Sequence, residues 1–104
     1  MQLHAQKLSK YEKQIVDEIN KGMPQTMQLL EQLVNINSGT HNIQGVKNVG
    51  LILKNEFDNI GFTTEWISLP DSIKRAGHLV AHTKGTKGKK LFLIGHLDTV
   101  FEPD

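Results

Sequence analysis

The stretch KLFLIGHLDTVF, residues 90–101, carries the strongest structural signal in the sequence. Its residues 91–94 are apolar without alternation, which is typical of a strand buried on both faces of a sheet. Gly95 and His96 follow directly, so a polar side chain stands where this strand would end. In open α/β sheets, ligands and catalytic groups collect at the carboxyl ends of the strands. The stretch therefore predicts a central strand with a candidate site at its end.

His96 and Asp98 are two positions apart at this end. If strand geometry persists, both side chains project from the same side, with backbones about 7 Å apart. An imidazole that binds zinc uses one ring nitrogen for the metal and donates from the other to a carboxylate or carbonyl. Asp98 can be that acceptor. The alternative is a histidine that ends a strand and an aspartate that caps the next turn, and the bare pattern leaves both interpretations open.

The residues before this stretch divide into helical and extended segments. Residues 63–69 are rich in β-branched and aromatic residues and predict a strand, and residues 77–83, which follow the break at Pro70 and Asp71, predict a second strand antiparallel to it. Apolar residues at helical spacing predict three earlier helices: from Ser9 to Gly22, from Pro24 to residues 37–39, and from Asn42 to Gly61. Three helices followed by three strands, the last one central, indicate an α/β layered fold.

Composition narrows the classes of partner. The chain has 104 residues and a net charge of +1, which favours neither nucleic acid nor an anionic membrane as a partner. The lysines at 84–90 alternate with glycines and threonine and are typical of a solvated turn. There is no cysteine and no apolar stretch long enough to span a bilayer, and residues 1–9 lack the apolar core of a signal peptide. We expect a cytoplasmic protein, with a periplasmic or secreted location open if a signal was removed.

The remaining histidines form weaker candidates for a metal site. His78 and His82 lie in a predicted strand, where four residues span about 13 Å, so one ion does not bridge them. His41 follows Ser38, Gly39 and Thr40 in a loop, and a solvated loop position is expected for it.

Four blocks stand in order along the chain: LLEQLVNINSGT at 29–40, GV at 45–46, IGF at 60–62 and LFLIGHLDTVF at 91–101. Together they resemble zinc-dependent exopeptidases and aminoacylases. The family includes glutamate carboxypeptidases, acetylornithine deacetylases and succinyl-diaminopimelate desuccinylases. The Ser-Gly-Thr loop and the Asp-Thr-Val-Phe ending look most like the glutamate carboxypeptidase branch.

The resemblance implies specific roles for two residues. His96 matches the first ligand of a two-zinc site, and Asp98 matches the catalytic aspartate that orients this histidine. The implied reaction is hydrolysis of an amide next to a free carboxylate, such as that of a C-terminal glutamate, by a zinc-activated water with a glutamate as general base. The implied substrates are peptides or N-acyl-amino acids.

The resemblance also implies that residues 1–104 form the N-terminal part of a catalytic domain. The other zinc ligands, the general base and a lid domain of the family have no counterpart here, although Glu102 and Asp104 supply oxygens near His96. The chain alone is then expected to be inactive and to self-associate through its apolar strand as a homo-oligomer. Two alternatives remain: an N-acyl-amino-acid deacylase or desuccinylase, and a truncated, non-enzymatic binding or structural module.

Overall fold

The computed structural model describes residues 7–100, which form two compact units. The first unit ends at Gln32 and the second begins at Leu33. Within the described residues the chain is α/β. In order it forms helix α1 (Lys10–Val34), helix α2 (Ile43–Asn59), strand β1 (Thr63–Ile67), a short 3-10 helix (Asp71–Ile73) and strand β2 (His78–His82). Phe101, Glu102 and Asp104 of the sequence predictions lie outside the described residues.

Helix α1 begins with a reciprocal pair of hydrogen bonds between its first residues. The backbone N–H of Glu12 donates to Ser9 Oγ over 3.2 Å, and the N–H of Ser9 donates to Glu12 Oε2 over 2.6 Å. This capping box satisfies two amide groups that a helix start leaves without partners. It confirms Ser9 as the start of the first helix.

The prediction of two helices across Gly22 and Pro24 is wrong, because α1 continues through both residues. Glycine tolerates helical dihedral angles, and proline removes only one backbone hydrogen bond while it strains the preceding turn. Thr26 Oγ1 donates to the carbonyl of Gly22 over 3.1 Å, within the turn that contains the proline. The apolar stripe also runs unbroken across this point, at positions Tyr11, Ile15, Ile19, Met23, Met27, Leu30 and Val34.

Helix α2 matches the prediction at both ends. Asn42 is its N-cap, and the Asn42 side chain accepts a hydrogen bond from the Gly45 N–H over 3.0 Å. Gly61, with a φ of 89°, follows the C-cap, and the N–H groups of Gly61 and Phe62 donate to the carbonyls of Asp58 and Phe57. This pattern is a Schellman motif, in which a left-handed residue ends the helix.

The buried face of α2 is shorter than predicted. Val46 and Val49 are buried, whereas Ile60 at the C-cap is exposed. Phe57 instead packs against Phe62, with ring centroids 5.3 Å apart. The core of the second unit is therefore small and lies under the first half of α2.

Strands β1 and β2 pair antiparallel, as predicted. The register sets Thr63 opposite His82 and Ile67 opposite His78, and α2 packs against both strands. Trp66 lies against Gly50 of α2, where an added Cβ would come 2.4 Å from the indole ring. Glycine at 50 thus allows the helix to approach the sheet closely.

The predicted central strand at 91–94 is not formed in the described part of the chain. The sheet there consists of β1 and β2, and Leu91, Phe92, Leu93 and Ile94 are 83–89% exposed. A strand needs neighbours to satisfy its backbone groups and cover its side chains, and residues 7–100 supply none for this segment. The expected three helices and three strands are thus corrected to two helices and a two-stranded sheet. No helix among these residues is long and apolar enough to cross a membrane.

Candidate functional site

A loop between the two helices forms one side of the candidate site, and two asparagines hold it. The side chain of Asn37 accepts from the N–H of Gly39 over 3.2 Å, and the side chain of Asn42 donates to the carbonyl of Asn37 over 2.9 Å. Gly45 lies so close that an added Cβ would come 1.8 Å from the Asn37 carbonyl oxygen. The loop is therefore fastened to the first turn of α2.

The same loop binds the segment that contains His96 and Asp98. The N–H of Thr99 donates to the carbonyl of Ser38 over 2.9 Å, and the hydroxyls of Ser38 and Thr99 lie 3.3 Å apart. Gly39 and Thr99 form a parallel bridge. Ser38 is 1% exposed, so its polar contacts form away from bulk water. These contacts bring Thr40 to Asp98.

The carboxylate of Asp98 is hydrogen-bonded through both oxygens. Thr40 Oγ1 donates to Asp98 Oδ2 over 2.5 Å, and His96 Nδ1 lies 3.2 Å from Asp98 Oδ1. The hydroxyl of Thr40 lowers the pKa of Asp98 most, partial burial opposes this, and His96 lowers it further. Asp98 is therefore a carboxylate at neutral pH, with its orientation fixed from two sides.

His96 points its Nδ1 nitrogen at Asp98. This atom lies 2.7 Å from the carbonyl oxygen of Asp98 as well as 3.2 Å from its carboxylate. Both contacts are acceptors, so Nδ1 carries the proton and Nε2 has the free lone pair in the neutral ring. The His96 side chain is 78% exposed. The ring is thus oriented at one nitrogen and accessible at the other.

These residues line an open cleft of about 490 Å³ in the second unit. Arg75 and His41 belong to its lining, and Arg75 Nη1 lies 3.4 Å from His41 Nδ1. The cleft thus combines a carboxylate, a guanidinium, two imidazoles and two hydroxyls. The lining residues are Gly39, Thr40, His41, Arg75, His96, Asp98, Thr99 and Val100.

The structure brings the predicted pair together but adds residues that the sequence did not indicate. His96 and Asp98 meet as the spacing predicts, although no strand precedes them. His78 and His82 lie on the exposed face of β2, as expected, while His41 lies in the cleft. The sequence pattern did not predict Thr40 or Arg75 as residues of the site. The signals available were the short polar run before α2 and the fact that Arg75 is the single arginine of the sequence.

Among the residues present, His96 fits one ligand of a zinc ion, and Asp98 fits the group that orients this ligand. A zinc-bound histidine usually donates its second ring N–H to a carboxylate or carbonyl, and His96 has both acceptors at Nδ1. Catalytic zinc normally takes three protein ligands. Among residues 7–100 no three histidine, aspartate or glutamate side chains lie close enough to hold a metal together. The part of the chain described here therefore offers an incomplete site.

The chain is similar to part of a known carboxypeptidase. Over 78 residues, 75% of the chain, it is 37% identical to Carboxypeptidase G2 from Pseudomonas sp. (strain RS-16). The aligned segment represents 19% of that protein, so the chain spans about a fifth of the relative. The likeness is to a carboxypeptidase, and it supports a carboxypeptidase-like hydrolase as the class. No family model matches the chain, and no solved structure matches it significantly.

Proposed function

We propose that this chain forms the part of a zinc-dependent, glutamate-carboxypeptidase-like hydrolase that holds the first metal ligand. In this proposal His96 binds zinc and Asp98 is the catalytic carboxylate that orients it. The observation that carries the proposal is the pair of contacts from His96 Nδ1 to the carbonyl and carboxylate of Asp98. The similarity to Carboxypeptidase G2 supports the class of reaction.

Each residue has a defined task in the proposal. The acceptors at Asp98 keep the proton of His96 on Nδ1, which directs the lone pair of Nε2 outward for a metal. The hydroxyl of Thr40 holds the second oxygen of Asp98, so the carboxylate does not rotate away from the imidazole. Thr40 is therefore a positioning residue.

The proposed reaction is hydrolysis of an amide next to a free carboxylate, in a peptide or an N-acyl-amino acid. Water adds across the C–N bond, the acyl carbon leaves as a carboxylate, and a proton passes to the departing amine. Zinc, when bound, lowers the pKa of the attacking water and polarises the carbonyl, and the intact site would hold two such ions. Residues 7–100 contain no three-ligand group, so in this proposal the further ligands lie outside them, and the general base is the glutamate that the family resemblance implies. We therefore propose that the 104-residue chain alone does not catalyse this reaction.

Two other functions are compatible with the same residues. An N-acyl-amino-acid deacylase or desuccinylase would use His96 and Asp98 identically and differ in the substrate contacts. A non-enzymatic binding or structural module is the second candidate, and the incomplete ligand set among the described residues favours it. Metal-dependent hydrolysis of an acyl-amino acid by the full-length gene product separates the enzyme proposals from the module.

The test is a titration of Zn²⁺ into the chain, followed by NMR of the histidine ring nitrogens and by calorimetry. We expect weak binding, because the chain supplies one matched ligand, with His96 Nε2 shifting first while the His96 Nδ1 proton remains bound to Asp98. His96→Ala should remove this binding, and His82→Ala, which deletes an exposed imidazole on β2, should retain it. Binding that the His96→Ala substitution leaves unchanged, or a zinc response at other histidines without His96, would contradict the proposal.

A further inference from the structure

The guanidinium of Arg75 lines the same cleft as His96 and Asp98. We propose that Arg75 is a carboxylate-binding residue that anchors an N-acylated amino acid in this cleft. The choice of this ligand class rests on the function proposed above. The binding role of Arg75 rests on its own geometry, which can be tested without a metal.

The backbone on both sides of Arg75 is constrained. Lys74 adopts a left-handed conformation with a φ of 51°, and its N–H donates to the carbonyl of Asp71 over 3.1 Å. Ala76 is buried, and Gly77 has a φ of 122° at a place where a Cβ would come 2.4 Å from the Ile67 carbonyl oxygen. Position 75 is therefore held between a turn and a close contact with β1, and the arginine projects from a fixed point.

The Arg75 side chain is oriented but retains free donors. Nη1 donates to the carbonyl of Lys74 over 2.9 Å and contacts Nδ1 of His41 at 3.4 Å. A guanidinium has five N–H donors and no acceptor. No carboxylate among the described residues pairs with Arg75, and no described group accepts a hydrogen bond from its Nε or Nη2. The donors on Nε and Nη2 thus remain for a ligand.

The chemistry of the cleft favours a carboxylate over a more highly charged anion. A guanidinium binds a carboxylate through two parallel hydrogen bonds, which match its planar fork. Asp98 places a negative charge in the same cleft, and this charge disfavours a dianion such as phosphate. A volume of about 490 Å³ accommodates a small ligand. An N-acyl-amino acid could therefore bind Arg75 with its carboxylate while its amide lies among the other cleft residues.

The test uses the metal-free chain and two probes of matched size: N-acetyl-L-glutamine, which carries one carboxylate, and the neutral diamide of N-acetyl-L-glutamate. Because Arg75 is the single arginine, one Nε–Hε NMR signal reports directly on its guanidinium. Two variants change the arginine: Arg75→Gln removes the charge, and Arg75→Lys keeps the charge but lacks the planar pair of donor groups. The control variant Lys87→Gln removes one charge from the lysine-rich turn. Backbone NMR spectra check that each variant remains folded.

We expect N-acetyl-L-glutamine to shift the Arg75 signal and the diamide to bind at least about five-fold more weakly, since bidentate pairs of this kind contribute about 1 kcal/mol or more. Arg75→Gln should weaken binding of the acid by a similar factor. Arg75→Lys should restore only part of the affinity, and Lys87→Gln should change it less than about two-fold.

Three results would overturn the inference: no binding of the acid by the wild-type chain, equal affinity for acid and diamide, or an Arg75→Gln variant that binds normally. Inorganic phosphate that binds as tightly as the acid would overturn the preference for a carboxylate. The result is independent of the zinc titration. Failure of Arg75 to bind the acid leaves the role of His96 standing, and failure of His96 to bind zinc leaves an Arg75 carboxylate site standing.

Discussion

Thr40 Oγ1 donates a hydrogen bond to Asp98 Oδ2 over 2.5 Å, across 58 positions of sequence. This bond joins the loop before α2 to the segment of the candidate metal ligand. The bond is partly buried, and its acceptor is charged, so its loss is not fully replaced by water. Thr40 thus links the stability of the fold to the geometry of the site.

Substitution of Thr40 by valine should destabilise the second unit by about 1–2 kcal/mol, because Asp98 loses one of its donors in a partly buried place. Thr40→Ser keeps the hydroxyl and should stay within about 0.5 kcal/mol of wild type. Urea unfolding followed by the fluorescence of Trp66, the single tryptophan, measures this unit. Equal stability of the valine and serine variants would show that the hydrogen bond contributes nothing.

Substitution of alanine for glycine should change the stability in opposite directions at two positions in the helices. At Gly45 a Cβ would come 1.8 Å from the Asn37 carbonyl oxygen, so Gly45→Ala should cost about 1–3 kcal/mol through displacement of the loop. At Gly22 nothing lies within 4 Å of the added Cβ. Gly22→Ala should therefore raise the stability of α1 by about 0.5–1 kcal/mol.

Circular dichroism during thermal unfolding, together with Trp66 fluorescence, reports on these two glycine variants. If α1 were broken at Gly22, as the sequence suggested, alanine there would bring no gain in helicity. If Gly45→Ala unfolded like wild type, the close approach of α2 to the loop would be refuted.

Asp58 should titrate below the ordinary pKa of an aspartate. The Lys54 ammonium, 2.6 Å away, and the Thr64 hydroxyl lower the pKa of Asp58, and burial opposes them weakly. Because the folded pKa is lower than the unfolded pKa, the stabilising contribution is present above the unfolded value, about 4, and is lost as pH falls through the folded value. Carboxyl ¹³C NMR titration measures this directly.

Lys54→Met should raise the pKa of Asp58 most, and Thr64→Val should raise it less, in the order of their contributions. Lys47→Met removes the same charge from α2 without removing a hydrogen-bond partner of Asp58, and it serves as the control. A pKa of Asp58 that stays low in the Lys54 variant would contradict the assignment of the lysine as the main cause.

The exposed apolar segment 91–94 should drive self-association of the chain. Leu91, Phe92, Leu93 and Ile94 are each more than four-fifths exposed, and an uncovered apolar segment with free backbone groups pairs readily with another copy. Sedimentation velocity over a range of concentrations should show oligomers that Leu93→Lys dissociates. Ile15→Lys, which alters the exposed stripe of α1, is the control, and dissociation by this variant alone would assign the contact to α1 instead.

The sequence predicted those elements whose signals are local. Asn42 and Gly61 mark the ends of α2 because capping involves residues a few positions apart, and β-branched and aromatic residues marked β1, with the break at Pro70 before β2. The break expected at Pro24 was wrong because a proline inside a helix removes one backbone hydrogen bond without forcing the helix to end, and α1 continues through it. The strand expected at 91–94 depends on neighbouring strands, which a local pattern cannot supply.

The candidate site likewise has one part that the sequence predicts and another that depends on the tertiary fold. His96 and Asp98 are two residues apart, so their contact follows from spacing. Thr40 approaches Asp98 only because Ser38 and Thr99 hold their segments together, and such a contact depends on the tertiary fold. Arg75 reaches the cleft from the turn between β1 and β2, for which the sequence offered no functional signal except the rarity of arginine.

The contacts of Ser38 and Thr40 with residues 98 and 99 have a consequence for the order of folding. They close a loop of about sixty residues. The chain loses entropy when this loop closes, and the contacts stabilise the fold only once other interactions have offset that loss. Helix α2 and the hairpin of β1 and β2 lie inside this loop and can form first. A nascent chain therefore acquires its scaffold early, and the cleft assembles only after residue 99 has emerged to close it.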